Sequence, residues 1–164
     1  LDVKDYQNWE QAIAFTKETF GKLNILINNA GIRNGETVAE TTLEDWDDTI
    51  AVNQTGIFYG MKLGIAAMAE NGENGAVVST ASVDGVVGSA EFFSYCATKA
   101  AVQAMTRCAA IYCGQQGIPV RVNAVAPGIP SPCTPSAAWA RRKRWPRPIS
   151  ISPATILPSS RAPR

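Results

Sequence analysis

The segment Asn24-Ile-Leu-Ile-Asn-Asn-Ala-Gly31 is the strongest indicator of the fold in this 164-residue chain. Its apolar run is typical of a strand that is buried in a parallel sheet, and it ends in polar and small residues. Open α/β sheets bind their ligands at this end of their strands. Because Ala30 and Gly31 carry little or no side chain, a ligand has room to approach the backbone there. The segment therefore predicts a parallel strand that leads into a binding site.

Helical and strand patterns alternate along the rest of the chain, which favours an α/β fold. The strand segment Gly75-Ala-Val-Val-Ser-Thr-Ala-Ser82 again ends in hydroxyl groups. Thr41-Thr-Leu-Glu44 resembles a capping box, and Gly117-Ile-Pro119 predicts a break before the last strand. We predict strands over residues 24–29, 75–80 and 118–125, and helices over about 8–20, 43–70 and 94–114.

Tyr95 and Lys99 are four residues apart on the third predicted helix, so they share one helix face. A lysine ammonium beside a phenol lowers the phenol's pKa from its usual value of about 10, which suits a general acid or base. The same spacing also occurs in solvated surface pairs. The pair alone therefore indicates proton transfer only weakly, and its neighbours in the sequence decide the interpretation.

Several motifs at consistent separations together resemble the short-chain dehydrogenase/reductase family, from about Asp2 to Gly128. These motifs are Asn28-Asn29-Ala30-Gly31, Asn53, Ser82, Tyr95 with Lys99, Arg121-Val-Asn123 and Pro127-Gly128. The resemblance implies an α/β fold with a Rossmann-like doubly wound parallel sheet. Only the central and C-terminal half of that sheet is expected in this chain.

The resemblance also implies an oxidoreductase that interconverts a secondary alcohol and a ketone by hydride transfer. Tyr95 would be the catalytic acid/base, and Lys99 would lower its pKa. Ser82 would hold the substrate oxygen and stabilise its developing charge. Asn53 would hold a water molecule that links Lys99 to solvent.

The cofactor implied by the resemblance is NAD or NADP, and four segments would contact it. The start of the chain would meet the adenine ring, and the Asn28–Gly31 motif would line the cleft. The Tyr95/Lys99 pair would lie at the nicotinamide ribose, and Pro127-Gly128 beside the nicotinamide. The cofactor-binding residues are thus expected to be Asp2, Val3, Asn28, Ala30, Gly31, Tyr95, Lys99, Pro127 and Gly128.

Structural roles remain alternatives for three of these residues. Asn53 would cap or kink its helix, Ser82 would be a turn hydroxyl, and Asn28 would satisfy loop backbone groups. Substrate identity also stays open among a hydroxysteroid, a cyclic alcohol and an acyl compound.

The chain departs from the family at its start, because it contains no Thr-Gly-x-x-x-Gly-x-Gly turn to hold the cofactor pyrophosphate. Asn71-Gly-Glu-Asn-Gly75 is better interpreted as a surface turn. Without neighbouring strands, residues 24–29 are expected to present an apolar edge and an uncovered face. The alternative function is therefore a truncated, non-catalytic remnant that acts by association or is inert.

Composition divides the chain into a partial dehydrogenase domain, residues 1–128, and a Pro/Arg-rich tail, residues 129–164. Residues 137–164 hold seven basic residues and no acids, which leaves 8 basic and 14 acidic residues, a net charge of −6, in residues 1–136. Such a tail is expected to be disordered. It could contact phosphates or serve as a localisation patch, but we favour a change of reading frame, and nucleic acid is not an expected partner.

The remaining expectations come from what the sequence lacks and from the family. With no histidine, a Ser-His-Asp hydrolase and a His-containing zinc site are excluded, and no metal site is predicted. The four cysteines do not suggest a disulfide framework. No segment has the length and apolarity of a membrane span, so a cytoplasmic protein is expected. Family members commonly form homo-oligomers through the two long helices that carry Asn53 and Tyr95.

Overall fold

A computed structural model describes residues 1–128 and contains one parallel sheet. Its strands are β1 (Ile25–Asn28), β2 (Gly75–Thr80) and β3 (Val120–Val125), in the order β1-β2-β3. The predicted α/β class and its three parallel strands are confirmed. The helices are α1 (Tyr6–Phe20), α2 (Leu43–Ile50), α3 (Gly56–Asn71), α4 (Asp84–Val87) and α5 (Phe93–Gln116).

One face of the sheet forms the core, because Leu26, Val77 and Val122 stand in register across the three strands. Within residues 1–128, α3 and α5 are the helices that contact the sheet. Val77 and Val102 are fully buried between these layers. The apolar packing of two long helices on the sheet fixes the positions of the strand ends, where a ligand site is expected.

The opposite face of β1 is uncovered in the part of the chain that the structure describes. Ile25 and Ile27 are 65% and 64% exposed, and β1 is an edge strand. The expected apolar edge and uncovered face are therefore confirmed. Exposed apolar edges of this kind favour association with another chain.

Helix α1 is fixed at both ends and packs against α3. The Asp5 side chain caps its N-terminus by accepting hydrogen bonds from the backbone N–H groups of Gln7 and Asn8. Gly21 ends it with φ of 81°, a conformation that favours glycine. The buried Trp9 donates its indole N–H to the Val3 carbonyl at 3.0 Å, which holds the start of the chain against this helix.

Glycines at every fourth position of α3 form a stripe that permits close packing. A Cβ on Gly60 would overlap side-chain atoms of Trp9 and Asn28, and one on Gly64 would lie 2.6 Å from Leu26 Cδ2. The stripe therefore lets α3 lie directly against α1 and β1.

Two local predictions need correction. The second predicted helix, residues 43–70, contains a π-helical turn at Ala51–Thr55 between α2 and α3. Its cap is Thr42, one residue later than predicted, whose hydroxyl accepts the Asp45 backbone N–H at 3.0 Å. Asp45 completes the cap because its carboxylate accepts the Thr42 hydroxyl at 2.5 Å.

Three further predictions concern the C-terminal tail, the cysteines and membrane-spanning helices. The predicted tail, residues 129–164, lies outside the described residues. Cys96, Cys108 and Cys113 are free thiols, and of these only Cys113 is buried. None of the helices in residues 1–128 is both long and apolar enough to cross a membrane.

Candidate functional site

A cavity of about 230 Å³ lies at the carboxyl ends of β1 and β2, the position predicted for a ligand site. Tyr95 and Lys99 of α5 both face it. The complete lining is Asn29, Gly31, Ile32, Arg33, Thr80, Tyr95 and Lys99.

Lys99 is almost completely buried, with 3% of its surface exposed. Its Nζ donates a hydrogen bond to the Thr80 carbonyl at 2.6 Å and lies 5.5 Å from the centre of the half-buried Tyr95 ring. Burial lowers the pKa of Lys99, because the charged ammonium loses hydration. The α5 helix thus brings a phenol and an ammonium group together in one cavity.

Gly31 keeps the cavity open beside the ammonium group. A Cβ at this position would lie 3.2 Å from Asn53 Oδ1 and 3.5 Å from Lys99 Nζ. A larger residue would therefore crowd the two predicted site residues that lie behind the loop.

Asn53 is fully buried in the π-helical turn and binds the loop that follows β1. Its Nδ2 donates to the Ile32 carbonyl at 2.8 Å and to Thr98 Oγ1 at 3.2 Å, while its Oδ1 accepts the Ile32 N–H at 2.8 Å. Both polar atoms of the side chain are therefore engaged with protein groups. Single π turns in helices often occur at functional sites.

Ser82 lies outside the lining of the Tyr95/Lys99 cavity. Its hydroxyl accepts the Asp84 backbone N–H at 3.1 Å, and its carbonyl accepts a bond from Gln103 at 3.2 Å. This geometry matches the turn-hydroxyl alternative and leaves the Ser82 proton available for a second bond. Pro127 accepts the Val83 N–H at 3.0 Å, and Gly128 packs on Val83, so these residues surround the same loop.

A second cavity, of about 260 Å³, contains three of the predicted cofactor residues, Val3, Asn28 and Ala30. Asn28 donates to Ser79 Oγ at 3.3 Å, whereas its buried Oδ1 has no partner within residues 1–128. Asp2 is exposed and does not line this cavity; its carboxylate accepts the Lys4 backbone N–H at 2.9 Å.

Asn29, Thr80 and Arg33 were absent from the predicted site residues. Thr80 Oγ1 donates to Asn29 Oδ1 at 2.9 Å across the ends of β1 and β2, and Asn29 lines both cavities. Strand alternation could have indicated Asn29 and Thr80, because residues at the ends of neighbouring parallel strands lie side by side in register. Arg33 carried no signal beyond its position shortly after Gly31.

A family model for short chain dehydrogenases matches residues 1–144. The chain belongs to the short-chain dehydrogenase family. Of the predicted site residues, Val3, Asn28, Ala30, Gly31, Tyr95 and Lys99 line one of the two cavities, whereas Asp2, Asn53, Ser82, Pro127 and Gly128 line neither.

Similar proteins within the family are dehydrogenases of different alcohols. The NADP-dependent (R)-specific alcohol dehydrogenase of Lentilactobacillus kefiri is 37% identical over 77% of this chain and 50% of its own length. The 3-beta-hydroxysteroid dehydrogenase of Comamonas testosteroni is 39% identical over 80% of this chain and 51% of its own length. The chain therefore spans about half the length of the curated relatives it matches.

A solved structure confirms the Rossmann-like fold of the family. The crystal structure of a short chain dehydrogenase from Mycobacterium smegmatis superposes with a TM-score of 0.75 at 33% sequence identity. The match covers 79% of this chain and 53% of that protein.

Proposed function

We propose that the protein is an NAD(P)-dependent oxidoreductase that interconverts a secondary alcohol and a ketone. The observation that carries the proposal is the meeting of Tyr95 with the buried Lys99 in one cavity at the ends of β1 and β2. Membership of a family whose relatives are alcohol and hydroxysteroid dehydrogenases supports the same reaction class.

Tyr95 is proposed to transfer the proton. Its hydroxyl would give a proton to the ketone oxygen during reduction, and the resulting phenolate form would take one from the alcohol during oxidation. Lys99 is proposed to assist this exchange from the same cavity, where its Nζ lies 5.5 Å from the centre of the Tyr95 ring. The Thr80 carbonyl holds Lys99 in place, because it accepts a hydrogen bond from Nζ.

Ser82 and Asn53 are proposed to support this step in different ways. The free proton of the Ser82 hydroxyl would stabilise charge on the substrate oxygen, which requires the substrate to reach the loop after β2. Asn53 positions the Ile32 loop against α5 through its three hydrogen bonds. A water molecule held by Asn53 would therefore bind its backbone carbonyl and not its side chain.

The residues present fit a dinucleotide. Asn28 and Ala30 line the second cavity, Gly31 lines the first, and Asn29 lines both, so the two cavities meet at the loop that follows β1. We propose that the dinucleotide is held by Asp2, Val3, Asn28, Ala30 and Gly31, with Tyr95, Lys99, Pro127 and Gly128 at its nicotinamide end. The nicotinamide supplies or accepts the hydride.

Replacement of a single hydroxyl group tests this function. Tyr95→Phe is expected to abolish oxidation of secondary alcohols, measured as NAD(P)H formation, while the affinity for NADH or NADPH is retained. Tyr112→Phe is the matched control, because Tyr112 lies exposed on the same helix. Retained turnover in the Tyr95→Phe variant would remove the assigned acid/base role.

The uncovered face of β1 favours a second candidate, a non-catalytic function by association. Association through α3 and α5 is also proposed, since Phe58 and Ile111 are exposed on these helices. Sedimentation of the purified protein distinguishes the two candidates when it is combined with the turnover assay. An oligomer without alcohol oxidation would support the association function.

A further inference from the structure

Arg33 introduces a second positive group into the Tyr95/Lys99 cavity. Two of the seven lining residues, Arg33 and Lys99, are cationic, and none of the seven is acidic. Lys99 is buried and gives one of its three N–H donors to the Thr80 carbonyl, whereas Arg33 is exposed at the cavity. The cavity therefore presents an uncompensated positive charge to any molecule that enters it.

The Arg33 guanidinium is oriented by an aromatic ring. Its Cζ lies 4.3 Å from the centre of the Phe92 ring, a stacked arrangement typical of arginine. Contact with the ring restrains the group, and no side-chain hydrogen bond among the described residues uses its N–H donors. The planar donors thus remain free to form a bidentate pair with an oxyanion.

No acid within residues 1–128 forms an ion pair with this guanidinium. The ion pairs in this part of the chain are Lys4–Asp48, Lys17–Glu70 and Lys22–Glu73, and Arg33 is in none of them. Glu36 follows three residues later, but both of its carboxylate oxygens are buried without a hydrogen-bond partner. Arg33 is thus positioned for a ligand and not for an internal ion pair.

We propose that Arg33 is a specificity-determining residue that binds an anionic oxygen group of the molecule held beside Tyr95 and Lys99. The inference rests on the proposed oxidoreductase function, because the anion belongs to its substrate or its cofactor. A substrate source would be the carboxylate of a hydroxy acid or keto acid. A cofactor source would be a phosphate of the dinucleotide.

Equilibrium binding of matched ligands tests the proposal without requiring turnover. One ligand pair is 3-hydroxybutyrate and its carboxamide, which have nearly the same shape but differ in charge; a second pair is 4-hydroxycyclohexanecarboxylate and its carboxamide. NADH is the phosphate-bearing probe. Each is titrated calorimetrically against the unchanged protein, Arg33→Gln and the control Arg107→Gln, which removes the same charge from the exposed surface of α5.

If Arg33 binds a carboxylate of the substrate, the unchanged protein is expected to bind each carboxylate more tightly than its carboxamide. Arg33→Gln then weakens carboxylate binding about tenfold or more, as for loss of a charge-assisted hydrogen bond, and leaves carboxamide binding within about twofold. If Arg33 binds a phosphate of the cofactor, Arg33→Gln is expected to weaken NADH binding by the same factor and to leave the affinities for both carboxylate pairs unchanged. Arg107→Gln is expected to behave as the unchanged protein in both cases.

The proposal is overturned if a folded Arg33→Gln variant, checked by circular dichroism, binds all ligands as the unchanged protein does. It is also overturned if Arg107→Gln causes the same losses, since the effect would then be one of net charge. A different experimental result is expected if the proposed oxidoreductase function is wrong. In that case anions bind in an Arg33-dependent way, but no alcohol is oxidised.

Discussion

Lys99 combines a charged group with an almost completely buried position. Burial lowers its pKa below 10.5, so the folded protein holds this proton less tightly than the unfolded chain does. Folding therefore releases the proton in the pH window between the lowered pKa and 10.5. The free energy of unfolding therefore increases as the pH rises through this window.

Lys99→Met is expected to remove this pH dependence. The stability of the unchanged protein relative to Lys99→Met should rise with pH up to about pH 10, where the lysine of the unfolded chain begins to lose its own proton. Urea unfolding of both proteins across this range measures the difference. A relative stability that falls with rising pH would contradict the assigned effect of burial.

At the scale of single residues, sequence reasoning identified the pair that meets but not all of its neighbours. The pairing of Tyr95 with Lys99 follows from helical spacing, and both residues line one cavity in the structure. Thr80 and Asn29 depend on strand register between residues 51 apart in sequence, which local patterns do not specify. Ser82 lies outside the cavity lining, and its hydroxyl accepts the N–H of Asp84, the first residue of the short helix α4, which was not predicted.

At the scale of elements, the predicted strands and long helices agree closely with the structure, because apolar periodicity determines them. The π-helical turn at Ala51–Thr55 was missed. It accompanies the contacts of Asn53 with Ile32 and Thr98, which are tertiary and leave no trace in local periodicity. The cap at Thr42 was displaced by one residue because adjacent threonines both satisfy the pattern.

The cap predicts different effects for two neighbouring threonines. Thr42→Ala removes the hydroxyl that accepts the Asp45 N–H and is expected to lower the free energy of unfolding by about 1 kcal/mol. Thr41→Ala should cost less, because its hydroxyl bonds only to the Thr37 carbonyl before the helix. Urea unfolding of both variants measures the order. A larger loss for Thr41→Ala would place the cap at the residue predicted from sequence.

Opposite effects are expected for alanine at two helical glycines. Gly60→Ala should lower the free energy of unfolding by more than about 1 kcal/mol, because its methyl group would overlap Trp9 and Asn28. Gly114→Ala on the exposed side of α5 should raise it by up to about 1 kcal/mol through helix propensity alone. Thermal unfolding distinguishes them. Equal stabilisation by both changes would contradict the close approach of α3 to α1 and β1.

At the scale of the whole molecule, the sheet within residues 1–128 has one packed face and one face that is apolar and exposed at β1. We expect this surface to drive concentration-dependent association. Ile25→Lys should reduce association, measured by light scattering over a range of protein concentrations. Val38→Lys is the control, since Val38 is similarly exposed at 69% but lies outside the sheet. If both variants associate as the unchanged protein does, another surface is responsible.

The two cavities at the strand ends connect this architecture to the proposed reaction. The central claim is that together they hold NAD(P) with its nicotinamide end beside Tyr95 and Lys99. The most direct test is fluorescence titration of NADH and NADPH against the protein as its native host makes it. Micromolar binding of at least one dinucleotide, weakened at least about tenfold by Lys99→Met, is the expected result. Absence of binding by both dinucleotides to the folded protein would contradict the claim and leave association as its function.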